Sequence, residues 1–374
     1  MSPTMVAQNN GSNILEYTNM FIDTWNFDAL EVAKLTGGRP LAAVARELFH
    51  RYELATEFDI PQDTLNLFLE TVEHQYALAN PYHCPAHAAD VLVNSHYLLQ
   101  GGIKSVCTPV EVLSLFVAAV GHDVGHFSLN NDFLRNSRHE YALRDNTSPL
   151  ETYHIRTILE ILQEPKTDIL CSLPEEKKEL IKSLVCDLII ATDMGRHKGY
   201  VSRFNEWASR AASSNDSGAG EKYSAEGREP IALSSENVSE DERRLLLVMT
   251  LKCADLANVV KPLHIADAWA VRIMEEFYRQ GEKELALNLP LTTFHSREHA
   301  EYKLAKHQLA FVEAVVAPLF RSYSGILAQE YRSAILTDCE NNIEQWRKRK
   351  DDLCPEQDKA SAQGSIPSRN GQEV

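Results

Sequence analysis

Apolar residues recur at intervals of three and four along nearly every segment of this chain, and that spacing limits the fold more than any other feature. The segments LAAVARELFHRYEL (41–54), TLNLFLETVEHQYAL (64–78) and ELIKSLVCDLIIATDM (179–194) show it clearly. A period near 3.6 residues places apolar side chains on one face of a helix, whereas a half-buried strand alternates at every second residue. The sequence contains no alternating pair of segments, so we predict an all-α fold of many helices.

The start of one helix can be placed from its capping residues. Thr108 suits the N-cap, Pro109 suits the first helical position, and Glu111 completes a capping box. The run LSLFVAAV that follows is apolar on all sides, which predicts a buried helix. It ends in His122 and Asp123, a pair that burial ordinarily penalises unless a partner offsets it.

Histidines are concentrated in one part of the chain. Seven of the fourteen fall within about a fifth of its length, at His83, His87, His96, His122, His126, His139 and His154. His83 and His87 are four residues apart, as are His122 and His126. On a helix this spacing puts both rings on one face, so we predict that each pair points into a common pocket.

A bound metal ion would explain the buried charge. Neutral imidazole and carboxylate are both ligands of divalent metals, and a cation offsets the burial of an aspartate. A second apolar segment, LLLVMTLKCADLANV (245–259), likewise contains a lone aspartate near its end. We predict that one ion is bound by four residues: His87, His122, Asp123 and Asp255. We interpret five other histidines as ordinary surface or core residues: His50, His74, His96, His139 and His264.

Composition narrows the class of protein. The formal charge of −16 repels polyanions over the surface as a whole, which disfavours nucleic acid as a partner. The seven cysteines form no Cys-x-x-Cys pair, so we expect them to be reduced. The longest apolar runs fall short of the roughly 20 residues that span a bilayer, and the first residues lack a signal pattern. We therefore expect a cytoplasmic protein without membrane insertion.

Three segments are predicted to be flexible, because they are rich in small and polar residues. They are an N-terminal segment (1–15), a surface insertion (209–239) and a C-terminal tail (347–374). The insertion interrupts helices that otherwise form one array, so we predict one domain at 16–346.

Seven ordered blocks resemble the catalytic domain of class I cyclic-nucleotide phosphodiesterases, a branch of the HD-type metal phosphohydrolases. The blocks are YHCPAHAADV, GHDVGHFSLNNDFL, SPLETYH, IATDMGRH, KCADLANVVKPL, WAVRIMEEFYRQGEKE and HQLAFVEAVVAPLF. The resemblance covers residues from about 20 to 346. It implies a compact helical domain with two metal ions at the bottom of a deep pocket, and regulatory domains outside this chain.

The resemblance also implies a role for each site residue. The four metal ligands would hold Zn²⁺, and Asp123 would bridge to a second ion, Mg²⁺ or Mn²⁺. Water around the second ion would be steadied by His126, Glu151, Thr192 and Asp193. A hydroxide between the ions would attack phosphorus, and His83 would act as general acid towards the 3′-oxygen.

Base recognition is assigned by the resemblance to Gln308, through its amide, and to Phe311, which would stack on the purine. The rest of that pocket would be lined by Ile273, Asn258, Tyr82, Trp269, Met274 and Phe277. The expected substrate is cyclic AMP, cyclic GMP or both, and the product is the 5′-monophosphate.

Several positions depart from the family pattern, and all of them concern loops rather than metal ligands. They are Cys84, Phe127-Ser128, Val259, Phe294 and Ser296. The last two lie in LPLTTFHSREHAEYKLAK (289–306), a loop that borders the base pocket in the family, so purine preference stays open.

Three alternatives compete with this hypothesis. Another HD-type phosphohydrolase, acting on a triphosphate or a cyclic dinucleotide, would need a basic cluster that the motifs lack. A non-catalytic nucleotide sensor would be expected to have lost a metal ligand, and none is missing. A purely structural helical domain would leave the buried charges unexplained.

Overall fold

The protein folds into helices throughout the described residues of a computed structural model, which are Ile14, 16–215, 230–234 and 236–355. The α-helices in these ranges are α1 (Ala29–Leu35), α2 (Leu41–Arg51), α3 (Leu54–Glu57), α4 (Gln62–Gln75), α5 (Pro85–Leu98), α6 (Pro109–Gly121), α7 (Asn131–Asn136), α8 (Glu140–Arg144), α9 (Pro149–Gln163), α10 (Glu175–Ile190), α11 (His197–Asn215), α12 (Glu240–Leu256), α13 (Leu263–Ala286), α14 (Ala300–Phe311), α15 (Ala317–Tyr323) and α16 (Gln329–Asp352). The predicted all-α class is confirmed.

Short non-α turns extend several helices. The π-helical turns are Leu99–Ile103 and Val312–Val316, and the 3₁₀ turns are Met194–Arg196, Ala257–Val260 and Ser324–Ile326. A π turn widens the helix by one residue per turn, and such turns are often found at functional sites. Val312–Val316 directly follows Phe311, one of the predicted base-contacting residues.

The core is built around α5, whose fourteen residues are all buried. It packs against α2, α6 and α12, so a helix that is buried on all sides finds a neighbour on each side. The predicted capping box of α6 is confirmed, because Thr108 Oγ1 accepts a hydrogen bond from Glu111 N at 3.3 Å and Glu111 Oε2 accepts one from Thr108 N at 2.7 Å. Both α6 and α12 therefore run from a capped, solvent-facing start to a buried end.

One continuous helical stretch, Ala300–Ile326, has the length and apolar character of a membrane span, and half of its most apolar window is buried inside this domain. A core helix of a globular protein passes the same test, so the stretch is accounted for by its packing here.

The segment boundaries differ from the predicted ones in two places. Helix α11 continues to Asn215, so the start of the predicted insertion at 209 is helical, and 216–229 and 235 lie outside the described residues. Helix α16 continues to Asp352, past the predicted boundary at 346. The rest of the tail and nearly all of 1–15 also lie outside the described residues. All seven cysteines are unpaired, as expected.

Candidate active site

The predicted metal ligands meet where the ends of α6 and α12 approach the first turn of α5. His87 Nε2 lies 3.1 Å from Asp255 Oδ1 and 3.5 Å from Asp123 Oδ2. His122 Nε2 lies 3.1 Å from Asp123 Oδ2 and 3.5 Å from Asp255 Oδ1. The two imidazole nitrogens are 3.3 Å apart. Residues as distant in sequence as 87 and 255 thus converge on one point.

The protonation of His122 is fixed by its backbone neighbour. Its Nδ1 lies 2.9 Å from the carbonyl oxygen of Ala119, which can only accept, so Nδ1–H donates. In the neutral ring Nε2 then carries a lone pair, which faces two carboxylates and Nε2 of His87. An acceptor nitrogen so close to two partly buried carboxylates is unfavourable unless a positive charge offsets it.

The spacing of these atoms fits a divalent metal site. The ligand atoms of His87, His122 and Asp123 all lie within 4.8 Å of one another. Asp255 Oδ1 lies within 3.5 Å of both imidazole nitrogens. Imidazole and carboxylate together are a donor set that suits a divalent ion of the zinc type.

The prediction that each histidine pair shares a helix face is wrong, although the rings do converge. His83 precedes the N-cap of α5, and His126 follows a chain reversal after the end of α6. Gly125 makes that reversal with a φ of +77°, a conformation that glycine adopts without strain. The His83 and His126 rings, one from each pair, stack with their centroids 3.9 Å apart. The turns next to α5 and α6 therefore bring these two rings together, and helical spacing does not.

A polar cavity of about 430 Å³ opens beside the metal ligands. Its lining includes the residues predicted to steady water around a second ion: His126, Glu151, Thr192 and Asp193. Burial acts to raise the pKa of Glu151, which stands at about 7 although Asn131 donates hydrogen bonds to the carboxylate.

His154 belongs to the same cavity and was not assigned a role from sequence. Its Nδ1 lies 2.8 Å from the carbonyl oxygen of Val124, so its Nε2 is the acceptor nitrogen and lies 3.7 Å from Asp123 Oδ1. That buried Nε2 has no hydrogen-bond partner among the described residues. Burial lowers the pKa of His154 to about 4, so the ring is neutral and can accept from a water. The block SPLETYH contained the residue, but its spacing gave no hint of this contact.

Glu276 on α13 is the second residue that sequence reasoning missed. Its Oε1 accepts hydrogen bonds from the backbone N–H groups of Tyr82 and His83, both at 2.8 Å. Its Oε2 lies 2.7 Å from His83 Nδ1. The pKa of Glu276 is about 2, because charge and hydrogen bonding from His83 outweigh burial, so the carboxylate is ionised and His83 Nδ1–H donates. His83 Nε2 is thereby left facing the cavity, 4.0 Å from Asp123 Oδ2.

The environment of His83 favours its protonated form. Burial acts to lower its pKa, but the carboxylates of Glu276 and Asp123 outweigh burial and raise the pKa of His83 to about 9. A cation held by Asp123 would offset that carboxylate, which leaves Glu276 as the group that keeps the ring charged.

A second cavity of about 300 Å³ adjoins the first, and His83, Met194, Asp255 and Phe277 line both. It contains most of the residues predicted to bind the base: Gln308, Phe311, Ile273, Asn258, Tyr82, Trp269 and Phe277. Met274 was predicted to join them and does not. It is buried in the core and lines neither cavity, because one step along a helix turns the side chain about 100° away from Ile273.

Comparison with known proteins identifies the family. The sequence profile described as 3′5′-cyclic nucleotide phosphodiesterase matches residues 82–337. The chain belongs to this family. The matched range contains all the predicted metal ligands, His83 and Gln308, and the family implies dependence on divalent metal.

Curated relatives of this chain are named as cyclic-AMP phosphodiesterases. The chain is 31% identical over 322 residues to isoform F of the 3′,5′-cyclic-AMP phosphodiesterase of Drosophila melanogaster. This match covers 86% of the present chain and 46% of the relative. The chain is 32% identical to the 3′,5′-cyclic-AMP phosphodiesterase 4C of Mus musculus, again with 46% of the relative covered. The chain thus spans less than half the length of these relatives.

Solved structures of nearly the same length share this fold. The phosphodiesterase domain of a rhodopsin phosphodiesterase from Salpingoeca rosetta superimposes with a TM-score of 0.78 at 28% identity, covering 93% of this chain and 97% of that one. A second structure of this domain gives a TM-score of 0.77.

Proposed function

We propose that this chain hydrolyses 3′,5′-cyclic nucleotides to 5′-monophosphates. The observation that carries the proposal is the position of His83, whose charged ring lies in the wall shared by a metal-ligand cluster and an apolar cavity. A phosphodiester placed at that wall would meet an acid on one side and the metal site on the other. The relatives named as cyclic-AMP phosphodiesterases make cyclic AMP the first substrate to assay.

The proposed metal centre consists of Zn²⁺ on His87, His122, Asp123 and Asp255, with Mg²⁺ or Mn²⁺ beside Asp123. When bound, such a pair of cations lowers the pKa of a coordinated water towards neutrality and neutralises the phosphate charge. His126, His154, Glu151, Thr192 and Asp193 would orient water in the polar cavity. The local positive charge matters here, because a protein with a formal charge of −16 otherwise repels an anionic substrate.

His83 is proposed to deliver the proton that the leaving 3′-oxygen requires. Glu276 accepts the hydrogen bond from His83 Nδ1–H, so the proton available to the substrate is the one on Nε2. The same carboxylate keeps the ring protonated at neutral pH, and its bonds to two backbone amides fix the position of the loop that carries the ring. A positioned acid of this kind contributes typically about 10²- to 10⁴-fold to a rate.

Replacing Glu276 by glutamine is expected to move the alkaline limb of the pH–rate profile to lower pH by about 1 to 3 pH units. Turnover that needs protonated His83 is full below its pKa and is lost as pH rises through it. With the carboxylate gone, burial dominates and lowers that pKa from about 9. The measurement is kcat/KM from pH 5 to 10, with Glu275→Gln as control, a partly exposed neighbour whose carboxylate pairs with arginines and not with His83. An unmoved alkaline limb would show that Glu276 does not determine the pKa of the catalytic acid.

The base is proposed to lie in the apolar cavity, with Phe311 and Ile273 on its two faces. Gln308 is buried, and no described residue forms a hydrogen bond with its side-chain amide. The amide therefore can rotate to present either its donor or its acceptor, which suits adenine in one orientation and guanine in the other. This supports cyclic GMP as a second substrate.

Gln308→Ala is expected to raise KM for the preferred cyclic nucleotide by about 5- to 150-fold, the effect of one lost buried hydrogen-bond partner. The change in kcat should be small, because the amide is remote from the reacting phosphate. Steady-state kinetics on both cyclic nucleotides measure this, with the exposed Gln345→Ala as a matched control. An unchanged KM would remove Gln308 from the base pocket.

The function itself is tested by monophosphate release from cyclic AMP and cyclic GMP, before and after a chelator. We expect release that the chelator abolishes and that added Zn²⁺ with Mg²⁺ restores. A nucleoside triphosphate and a cyclic dinucleotide serve as competing substrates. The described lining of the polar cavity contains one arginine, Arg135, and no lysine, which disfavours a substrate with extra phosphates. A cytoplasmic location and regulatory domains outside this chain stay predictions.

A further inference from the structure

One buried face of α13 is polar, although the buried face of a helix is usually apolar. Glu276, Gln280 and Glu284 are four residues apart, so they form a stripe, and their exposed fractions are only 3%, 3% and 0%. Buried polar groups cost free energy unless they are hydrogen-bonded, so the stripe calls for a reason. Glu276 holds the loop of the general acid, as described above. The other two residues hold two further loops.

Gln280 contacts both of those loops with one amide. Its Oε1 accepts a hydrogen bond from Asn130 N at 2.8 Å, in the segment 126–131, here called the metal-side loop. Its Nε2 lies 2.8 Å from Glu284 Oε1 and 2.9 Å from Thr292 Oγ1, in the segment 287–299, here called the base-side loop. The two ends of a single side chain therefore join two loops that are far apart in sequence, the first of which lines the polar cavity through Asn130 and Asn131.

The base-side loop is attached closely to α13. Thr292 N donates to Glu284 Oε2 at 2.9 Å, and Thr293 Oγ1 donates to the carbonyl oxygen of Phe277 at 2.9 Å. A Cβ at Gly281 would come within 2.2 Å of the carbonyl oxygen of Phe294, so only glycine permits this crossing. The Phe294 ring in turn meets the ring of His307 edge-on at 5.6 Å, beside Gln308 in the base pocket.

The metal-side loop leads to the predicted water-orienting residues. Asn131, next to the residue that Gln280 holds, donates to the Glu151 carboxylate at 3.0 and 3.3 Å. Asn131 Oδ1 accepts a hydrogen bond from Leu150 N at 3.0 Å. A shift of Asn130 would therefore be transmitted to Glu151 through adjacent, partly buried hydrogen bonds.

We propose that Gln280 is a positioning residue that couples the base-side loop to the metal-side loop. In kinetic terms, which rest on the proposed function, a substrate base bound beside His307 would act through the ring of Phe294 on the base-side loop and so tighten the placement of Glu151 across α13. The coupling is physical because the Gln280 amide has one donor side and one acceptor side, and the two sides are committed to different loops. A displacement of either loop leaves a buried group without a partner, which the network resists.

The first test uses Thr292→Val, which removes the hydroxyl that accepts from Gln280 and donates to Glu284, and keeps the side-chain shape. Thr292→Ser, which keeps the hydroxyl, is the matched control. Amide hydrogen exchange is followed in both loops of the full chain. We expect faster exchange in 287–299 and also in 126–131 for the valine variant, and wild-type exchange for the serine variant. A change confined to 287–299 would overturn the coupling.

The second test is a kinetic cycle between residues that do not touch. Thr292→Val and Asn131→Ala are measured singly and together for kcat and KM on cyclic AMP, with Gln280 present and in a Gln280→Leu background. We expect the two effects on kcat/KM to depart from additivity by about 2- to 30-fold with Gln280 and to be additive without it. Additivity in both backgrounds would refute the proposal. If wild type hydrolyses no cyclic nucleotide, the proposed function fails, while the exchange experiment still decides the coupling.

Discussion

Asp255→Ala is expected to lose metal and nearly all turnover together. The carboxylate is one of the four groups proposed to bind the ion, and it is the one on α12. Loss of groups that merely orient a ligand typically costs about 10- to 100-fold in affinity or activity, so loss of a ligand should exceed about 100-fold. Metal content per chain, measured by elemental analysis, and monophosphate release are the two measurements. Asp241→Ala, at the exposed start of the same helix, is the control.

The same variant also tests whether the ion contributes to stability. An ion that binds only the folded chain raises the free energy of unfolding, and here it would join α5, α6 and α12. Wild type should therefore show a lower Tm after chelation, whereas the Tm of Asp255→Ala should not respond to the chelator. Full activity and full metal content in Asp255→Ala would remove the metal assignment.

His83→Ala is expected to lower kcat by about 10²- to 10⁴-fold while metal content stays at the wild-type level. His83 Nε2 faces the cavity without being one of the four converging ligand atoms, so its removal should leave the ion in place. Steady-state kinetics and elemental analysis on the same preparation measure the two quantities. The exposed His74→Ala is the control for removing an imidazole. Parallel loss of metal would assign His83 to the metal site instead.

A substrate that needs no acid separates proton donation from other effects of this substitution. A cyclic nucleotide with sulfur in place of the bridging 3′-oxygen has a leaving group that departs as the thiolate, so it depends little on a proton donor. We expect the kcat deficit of His83→Ala to shrink on this analogue. An equal deficit on both substrates would indicate that the ring acts by positioning rather than by donating a proton.

Much of the site could be predicted because its signals are local in sequence. The capping box at Thr108 and Glu111 fixes where α6 begins, and the apolar run fixes that its end is buried. A buried helix end with the sequence His-Asp predicts a bound cation, and Asp255 repeats the pattern at the end of a second helix. Local spacing was misleading only where the chain leaves the helix. The four-residue separation of His122 and His126 resembles a helix face, but Gly125 makes the turn that actually brings His126 in.

The sequence by itself determined the helices, the inventory of metal-binding groups and the buried ends that carry them, because periodicity and capping act over a few residues. Only the tertiary structure decided what those groups do. Glu276 reaches His83 across 193 positions, and Gln280 reaches Asn130 across 150. Such contacts leave no local pattern, since a glutamate or glutamine on a helix looks the same whether it faces water or a catalytic loop. The packing of α13 against those loops decides the role of Glu276, because its buried carboxylate lies against His83 and keeps that ring protonated.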